Sequence, residues 1–289
     1  MSDTRVLVTG AHGLLGASLV PQLRANEFEV IEAPSRTRAA QSSDLSLRRN
    51  VARVLDEVRP ELVVNLAALA DVDYCESHPD EAFATNAAMV RHIAEWIAAS
   101  SPACALVHIS SDQMYDGKGP HDESALRPCN YYGFSKVISE QYAAIARATT
   151  LRTNFFGRSR SPGRASLSDW IVDAARQGRT ITVFDDVYFS PLSTTTLSEA
   201  IVSVAARPVE GVFNLGSSEG MSKADFAFAL VEELGLPTSH MIRGSANDAP
   251  RTARRPRDIR MSSASFHAEW GGAAPTLAEE IRRAAQEYE

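Results

Sequence analysis

Cysteine is scarce in this chain: Cys75, Cys104 and Cys129 are the three in 289 residues. They are too few and too scattered for a disulfide framework or a zinc site, which points to a reduced, cytoplasmic protein. Positive charge is in deficit as well, with a formal net charge of -7. That balance argues against binding nucleic acid or a membrane surface, both of which want a basic face. No stretch approaches the roughly 18 uncharged apolar residues that a membrane helix needs. The start, MSDTRVLVTG, has no long apolar region after a basic opening, so no signal peptide is expected. The seven histidines show no ligand spacing, and no metal is called for. Repeats and low-complexity tracts are absent too. What remains is an ordinary globular composition, 44% hydrophobic and 22% charged, long enough for one large domain or two unequal ones.

Through the first half, short apolar runs alternate with helical patterns. Strands are expected at 5–9, 28–33, 62–65, 105–110 and 151–153, and helices at 14–26, 51–58, 80–100 and 132–146. Continuous Val/Ile/Leu strands between helices imply an α/β fold, a doubly wound parallel sheet covered on both faces. Beyond Gly157 the texture turns polar and loop-like, and from Asn214 onward one helix, 223–234, stands in a long irregular segment. The division expected is a nucleotide-binding domain over 1–157, completed by about 192–215, and a smaller C-terminal α/β lobe from 158–191 and 216–289.

VLVTGAHGLLG places Gly10, Gly13 and Gly16 after the first strand and across the start of its helix. Glycine suits that place because the backbone turns tightly and approaches a diphosphate, whose charge the helix N-terminus then holds. A helix entry with glycines for packing is the plainer alternative. An acid that binds both ribose hydroxyls of NAD usually follows about 20 positions later. Here the count lands on Arg36, in APSRTR; Glu32 precedes the strand end and should point elsewhere. Arg36 and Arg38 with Ser35 suit a 2′-phosphate, so NADP(H) is preferred over NAD(H); a solvated basic loop is the other account.

Tyr132 and Lys136 stand four apart at the start of a helix, hence on one face. A neighbouring ammonium favours the phenolate and lowers the phenol's pKa, as a general acid near pH 7 requires. Ser111, at the end of the preceding strand, faces the same crevice, where its hydroxyl can donate to a substrate carbonyl. Tyr131 is a rival phenol, but it has no lysine four positions on.

At this point the chain resembles the extended short-chain dehydrogenase/reductases, and most closely their dTDP-4-dehydrorhamnose reductase branch. The resemblance runs through VTGAHGLLG, Asp44-Leu45, VVNLAALADVD, ESHPDEAFATNA, HISSDQMYDG, YYGFSK, LRTNFFG, DDVYFSPLST and ARRPRD. It implies a Rossmann-type domain with strand order 3-2-1-4-5-6-7 and a small C-terminal substrate-binding lobe closing over a nucleotide sugar. It implies Ser111, Tyr132 and Lys136 as the catalytic set, with Lys136 also on the nicotinamide ribose. By the same resemblance Gly10, Gly13 and Gly16 hold the cofactor diphosphate among His12, Leu14 and Leu15. Asp44 and Leu45 flank the adenine, and Ala67, Ala68 and Leu69 line the groove. Tyr132 and Thr153 also face the cofactor. Asn86 is similar to an asparagine that ties two strands together, and Arg152 begins the stretch that passes beside the nicotinamide. Homodimerisation through helices 80–100 and 132–146 is the family's habit.

Where that branch commonly reads Ser-Thr-Asp-Tyr, this chain reads Ser-Ser-Asp-Gln, so Gln113 changes a residue expected to face the sugar. Related dehydratases carry Thr-Asp-Glu there, two carboxylates for elimination of water. An amide does not titrate near neutrality, and Asp112 alone cannot easily serve as both acid and base. Simple carbonyl reduction is therefore preferred: NADPH-dependent reduction of the C4 keto group of a nucleoside-diphosphate 4-keto-6-deoxyhexose. A nucleotide-sugar epimerase of the same fold is one alternative. A non-catalytic NADP-binding regulatory subunit, similar to the methionine adenosyltransferase beta subunit, is another. Asp112, Gln113, Asn154 and Ser190 are expected on the substrate side. In RTARRPRDIR, Arg254 or Arg255 is expected to meet the diphosphate, with Arg257 solvated. Asp71, Asp73, Glu76 and Asp80 read as the solvated end of a helix entry.

Overall fold

The computed structural model describes residues 4–34, 44–248 and 252–289. The chain forms two compact units, one from Met1–Ser111, Asn130–Arg152 and Ser198–Val212, the other from Asp112–Cys129, Thr153–Leu197 and Phe213–Glu289. Residues 112–129 thus cluster with the second unit, although they precede the sequence boundary at 157.

The elements run β1 (Arg5–Thr9), α1 (Leu14–Ala25), β2 (Glu29–Glu32), α2 (Arg48–Val58), β3 (Leu62–Asn65), α3 (Val72–Ser77), α4 (Pro79–Phe83), α5 (Met89–Ser100), β4 (Ala105–Ser111), α6 (Tyr131–Ala143) and β5 (Thr149–Thr153). Then follow β6 (Phe155–Phe156), α7 (Leu167–Arg176), β7 (Ile181–Phe184), β8 (Tyr188–Phe189), β9 (Leu192–Ser193), α8 (Thr194–Ala206) and β10 (Gly211–Leu215). The chain closes with β11 (Met221–Ser222), α9 (Lys223–Glu233), β12 (Met241–Gly244), α10 (Ala264–Trp270) and α11 (Leu277–Ala285).

Six strands form the central sheet in the order β10-β5-β4-β3-β1-β2. β1 runs parallel to β2 and β3, and β3 parallel to β4, with Leu7, Val63 and Leu106 in register. This is the α/β sheet the alternating pattern implied. The order matches the resemblance except at one edge: the strand expected beyond β2 has no counterpart among the described residues. On one face Leu7, Val63 and Leu106 pack against Val54 and Leu55 of α2, Ile93 and Ile97 of α5 and Ala143 of α6. Full burial of each such side chain contributes about 1.5–3 kcal/mol, so β-branched strands covered on both faces hold the site's platform.

The helix expected over 80–100 is present and unbroken: α4 passes through a π-helical stretch, Ala84–Ala88, into α5, and the short α3 stands before it. Asp71, read as solvated, caps α3 by accepting from the Tyr74 amide at 3.0 Å. Glu76, read the same way, accepts from the Tyr131 amide at 3.0 Å and so braces the start of α6.

In the second unit, β7 pairs in parallel with β12, β8 antiparallel with β11, and β6 in parallel with β9. Phe156 and Phe189 meet Phe226 edge-on at 4.7 and 5.2 Å, forming its aromatic centre. The tail read as irregular carries two further helices. α11 starts with a capping box, Thr276 with Glu279, which satisfies two amides that a helix end otherwise leaves open.

Among the described residues no helix is long and apolar enough to cross a membrane, and no group of three His, Cys, Asp or Glu side chains could hold a metal ion.

Candidate active site

The chain leaves β1 through Gly10, at a φ of +68°. A Cβ on Gly10 would lie 2.8 Å from the Ala67 amide nitrogen, and one on Gly16 only 2.4 Å from the Gly10 carbonyl oxygen. Both positions require glycine. Gly13 is the N-cap of α1, where no side chain caps the helix and no acid occupies the first turn. Its open amides and partial positive charge suit an anionic diphosphate, so the loop fits a dinucleotide. Leu15 is buried, Leu14 half-buried and His12 exposed.

Glu32 departs from expectation. β2 ends on it, and its carboxylate accepts from Arg24 Nη2 at 2.9 Å and lies 3.4 Å from His12 Nδ1 in the glycine loop. It therefore reaches the loop rather than pointing elsewhere, because the strand stops one residue sooner than the pattern suggests. Arg36, Ser35 and Arg38, read as a 2′-phosphate site, lie outside the described residues. Asp44 is taken up by a turn, its Oδ1 accepting from the Ser46 amide at 3.0 Å, while Leu45 packs on the core.

Beyond β3, the Ala67 amide donates to Thr9 Oγ1 at 3.3 Å and Ala68 is exposed. Leu69 is held on both backbone groups by the Asn86 amide: Oδ1 accepts from its N–H at 2.7 Å and Nδ2 donates to its carbonyl at 3.1 Å. Asn86 Nδ2 also donates to Ser135 Oγ at 2.9 Å. Asn86 thus ties a loop to α6, not two strands together: one amide supplies a donor and an acceptor where no strand is available to do so.

Asn130 starts α6 as its N-cap, accepting from the Gly133 amide at 2.8 Å. Burial separates the two phenols. Tyr131 is 50% exposed, whereas Tyr132 is buried against Cys75 and Ala82, with Leu69 and Val72 beside them. Lys136, on the same face one turn later, is 2% exposed and donates from Nζ to the Ile109 carbonyl at 2.8 Å. Burial pushes its pKa from 10.5 down to about 8, partly opposed by the charge of Glu140. Ser111, two residues beyond Ile109, ends β4 and is buried as well.

Beneath this group runs a buried polar chain that the sequence did not disclose. Thr9, Asn65 and His108 are register neighbours across β1, β3 and β4. Ser139 Oγ donates to the Lys136 carbonyl at 2.6 Å, so its oxygen accepts from His108 Nε2 at 2.9 Å. His108 Nδ1 is then the acceptor for Asn65 Nδ2 at 3.0 Å, and Asn65 Oδ1 accepts from Thr9 Oγ1 at 2.6 Å. Every donor in the chain is assigned only if His108 is neutral. Burial, reinforced by the charge of Lys136, holds its pKa well below the usual 6.5. A histidine inside the apolar run LVHIS is the trace this network leaves in the sequence.

The expected substrate residues lie in the second unit, except that Thr153, a cofactor candidate, joins them there. Asp112 is buried, its carboxylate accepting from Asn154 Nδ2 at 2.6 Å and from Gln113 Nε2 at 3.4 Å. Thr153 is buried beside Asn154. Ser190 is buried, its hydroxyl accepting from the Met261 amide at 3.0 Å. Arg254 pairs with Asp116 at 2.7 Å while staying 69% exposed, and Arg255 is half-buried. Arg257, expected to be solvated, is instead half-buried and pairs with Asp186 and Asn247.

The RmlD substrate binding domain family matches residues 4–289. The chain belongs to that family. This RmlD-family chain is 30% identical to a dTDP-4-dehydrorhamnose reductase of Sinorhizobium fredii, over 96% of each chain. It is 26% identical to the methionine adenosyltransferase 2 subunit beta of Bos taurus, over 90% of this chain and 80% of that one. Among solved structures, the dTDP-4-dehydrorhamnose reductase of Bacillus anthracis in complex with NADP superposes with a TM-score of 0.88. It covers 99% of both chains at 24% identity, a likeness of fold. The family and fold expected from the motifs are both borne out.

Proposed function

We propose that this RmlD-family protein reduces the C4 carbonyl of a nucleoside-diphosphate 4-keto-6-deoxyhexose with NADPH. One observation carries the proposal: α6 buries the Tyr132 phenol and the Lys136 ammonium one turn apart, and Lys136 is bonded to the strand that ends on Ser111. The bound dihydronicotinamide supplies a hydride. Tyr132 gives the proton to the growing alkoxide, Lys136 favours the phenolate left behind, and Ser111 donates to the carbonyl oxygen. Gly10, Gly13 and Gly16 hold the diphosphate of the cofactor, and Arg254 or Arg255 that of the sugar nucleotide.

Gln113 favours reduction over dehydration, since an amide beside Asp112 cannot act as the second acid or base that elimination needs. NADP(H) is the preferred cofactor on the strength of Arg36; the Glu32 carboxylate beside the glycine loop favours NAD(H) as the second choice. Exposed Phe83 of α4 and Phe134 and Ile138 of α6 support a homodimer formed through those helices. The cytoplasm is the compartment that suits three free cysteines.

The test is NADPH oxidation with a dTDP-4-keto-6-deoxyhexose. One NADPH consumed per sugar, and none consumed by Tyr132→Phe, is the expected result. Binding of NADPH without turnover of any nucleotide-linked ketosugar would assign a regulatory role instead.

A further inference from the structure

Lys136 has a carboxylate one turn further along its own helix. Glu140 stands at i+4, the spacing at which a lysine and a glutamate on one helix face pair. No ion pair joins them. Glu140 instead accepts from Arg152 Nε at 2.9 Å and from Nη2 at 2.6 Å, a two-pronged contact in which both side chains are at most 4% exposed. Lys136 keeps its bond to the Ile109 carbonyl.

We propose that Arg152 and Glu140 are positioning residues for Lys136. The guanidinium occupies both carboxylate oxygens, so the ammonium stays beside Ile109, one turn from the Tyr132 phenol and two residues from Ser111. The proposal rests on the catalytic assignment of Tyr132 and Lys136. Released from Arg152, the buried carboxylate has one cation within its helical reach. It would draw the ammonium along α6 away from the phenol and cancel its charge.

Few groups act on Lys136: the charge of Glu140 on its own helix favours the ammonium, and the neutral His108 of β4 lies close enough to feel the ammonium's charge, while Arg152 of β5 reaches Glu140. The Cys75 thiol of α3, which packs with Tyr132, is pushed up to about 11 by burial and hence uncharged. Glu140 is the one anion of this set.

The test is a set of pH–kcat profiles with NADPH and the ketosugar, with NADPH binding and thermal midpoint measured on each variant. Arg152→Met is expected to lower kcat at least about tenfold with KM for NADPH within about threefold. Its alkaline limb should move up by about a unit, since a carboxylate beside an ammonium raises its pKa. Arg152→Met/Glu140→Leu removes the captor together with its guard; kcat should return to within about threefold of wild type, and the limb to its wild-type position or lower. If Arg152→Met does not fold, Arg152→Lys decides: it frees one carboxylate oxygen, and a smaller loss of kcat with an upward limb is expected. An unmoved limb in every folded single variant, or a double variant no better than the single, overturns the proposal. An active wild type with unmoved limbs refutes this inference alone; an inactive wild type that binds NADPH refutes the function beneath it.

Discussion

The ammonium of Lys136 donates to the carbonyl of Ile109 at 2.8 Å, two residues before Ser111. That bond fastens the helix bearing the phenol to the strand bearing the hydroxyl, and it buries a cation whose pKa has fallen to about 8. Reduction is therefore expected to decline as pH rises through about 8, where the ammonium that favours the phenolate is lost. The pH profile of kcat checks this; a plateau extending past pH 9.5 contradicts it.

The same burial has a consequence for stability. Below pH 8 the lysine is charged in both folded and unfolded chains, and a fall from 10.5 to about 8 makes folding about 3 kcal/mol less favourable. Between about 8 and 10.5 only the unfolded chain keeps the proton, so stability rises with pH across that window. Lys136→Met should be inactive yet more stable than wild type at pH 7, by about 1–2 kcal/mol once the lost donor to Ile109 is counted. That advantage should shrink towards pH 10. Urea midpoints at pH 7 and 10 measure it.

His108 carries the opposite liability. Its folded pKa lies well below 6.5, so below pH 6.5 the unfolded chain binds a proton that the folded chain refuses. Stability should fall with acidification, by up to about 1.4 kcal/mol per pH unit. His108→Gln keeps a donor for Ser139 and an acceptor for Asn65 and should remove that slope, whereas His108→Phe should lose about 2–4 kcal/mol at pH 7. Midpoints of unfolding at pH 7, 6 and 5 separate the three proteins.

Gly16→Ala places a Cβ 2.4 Å from the Gly10 carbonyl and 2.5 Å from that of Ala11, both backbone atoms that cannot give way. The loop must reshape, and NADPH affinity should drop by at least about tenfold while a fold held by the sheet survives. Gly13→Ala, with its nearest contact at 3.1 Å, should be milder. Fluorescence titration with NADPH ranks the two variants.

Glu32 offers a cofactor test. Its carboxylate beside His12 suits ribose hydroxyls and repels a 2′-phosphate. Glu32→Gln should raise the ratio of kcat/KM for NADPH over NADH by about tenfold, with the ketosugar saturating. An unchanged ratio would remove Glu32 from cofactor choice.

What the sequence discloses of this site is what is local. The glycine loop, Ser111 at a strand end and the Tyr132–Lys136 pair each follow from spacing within one turn or one strand. What it hides depends on partners brought together by folding. Arg152 finds Glu140 across the strand-helix layer, and His108 finds Asn65 from another strand; neither pairing has a periodic signature. Asn86 reads as a strand tie because its role is fixed by Leu69 and Ser135, which only the folded chain sets around it. The π-helical turn at Ala84–Ala88 inside the 80–100 helix escapes notice for the same reason. The helix at 277–285 is different: Thr276 and Glu279 advertise its start, and a run of arginines and prolines upstream obscures it.

The most direct test is transfer of the label from NADPH deuterated at the nicotinamide C4 position to the ketosugar, followed by NMR of the product. Wild type should place one deuterium on the sugar C4 for each NADPH consumed, and Tyr132→Phe should bind the cofactor normally yet transfer almost none. Label retained on the nicotinamide while the sugar is bound or inverted, or full transfer by Tyr132→Phe, would contradict the assignment of the phenol as the proton donor in a net reduction.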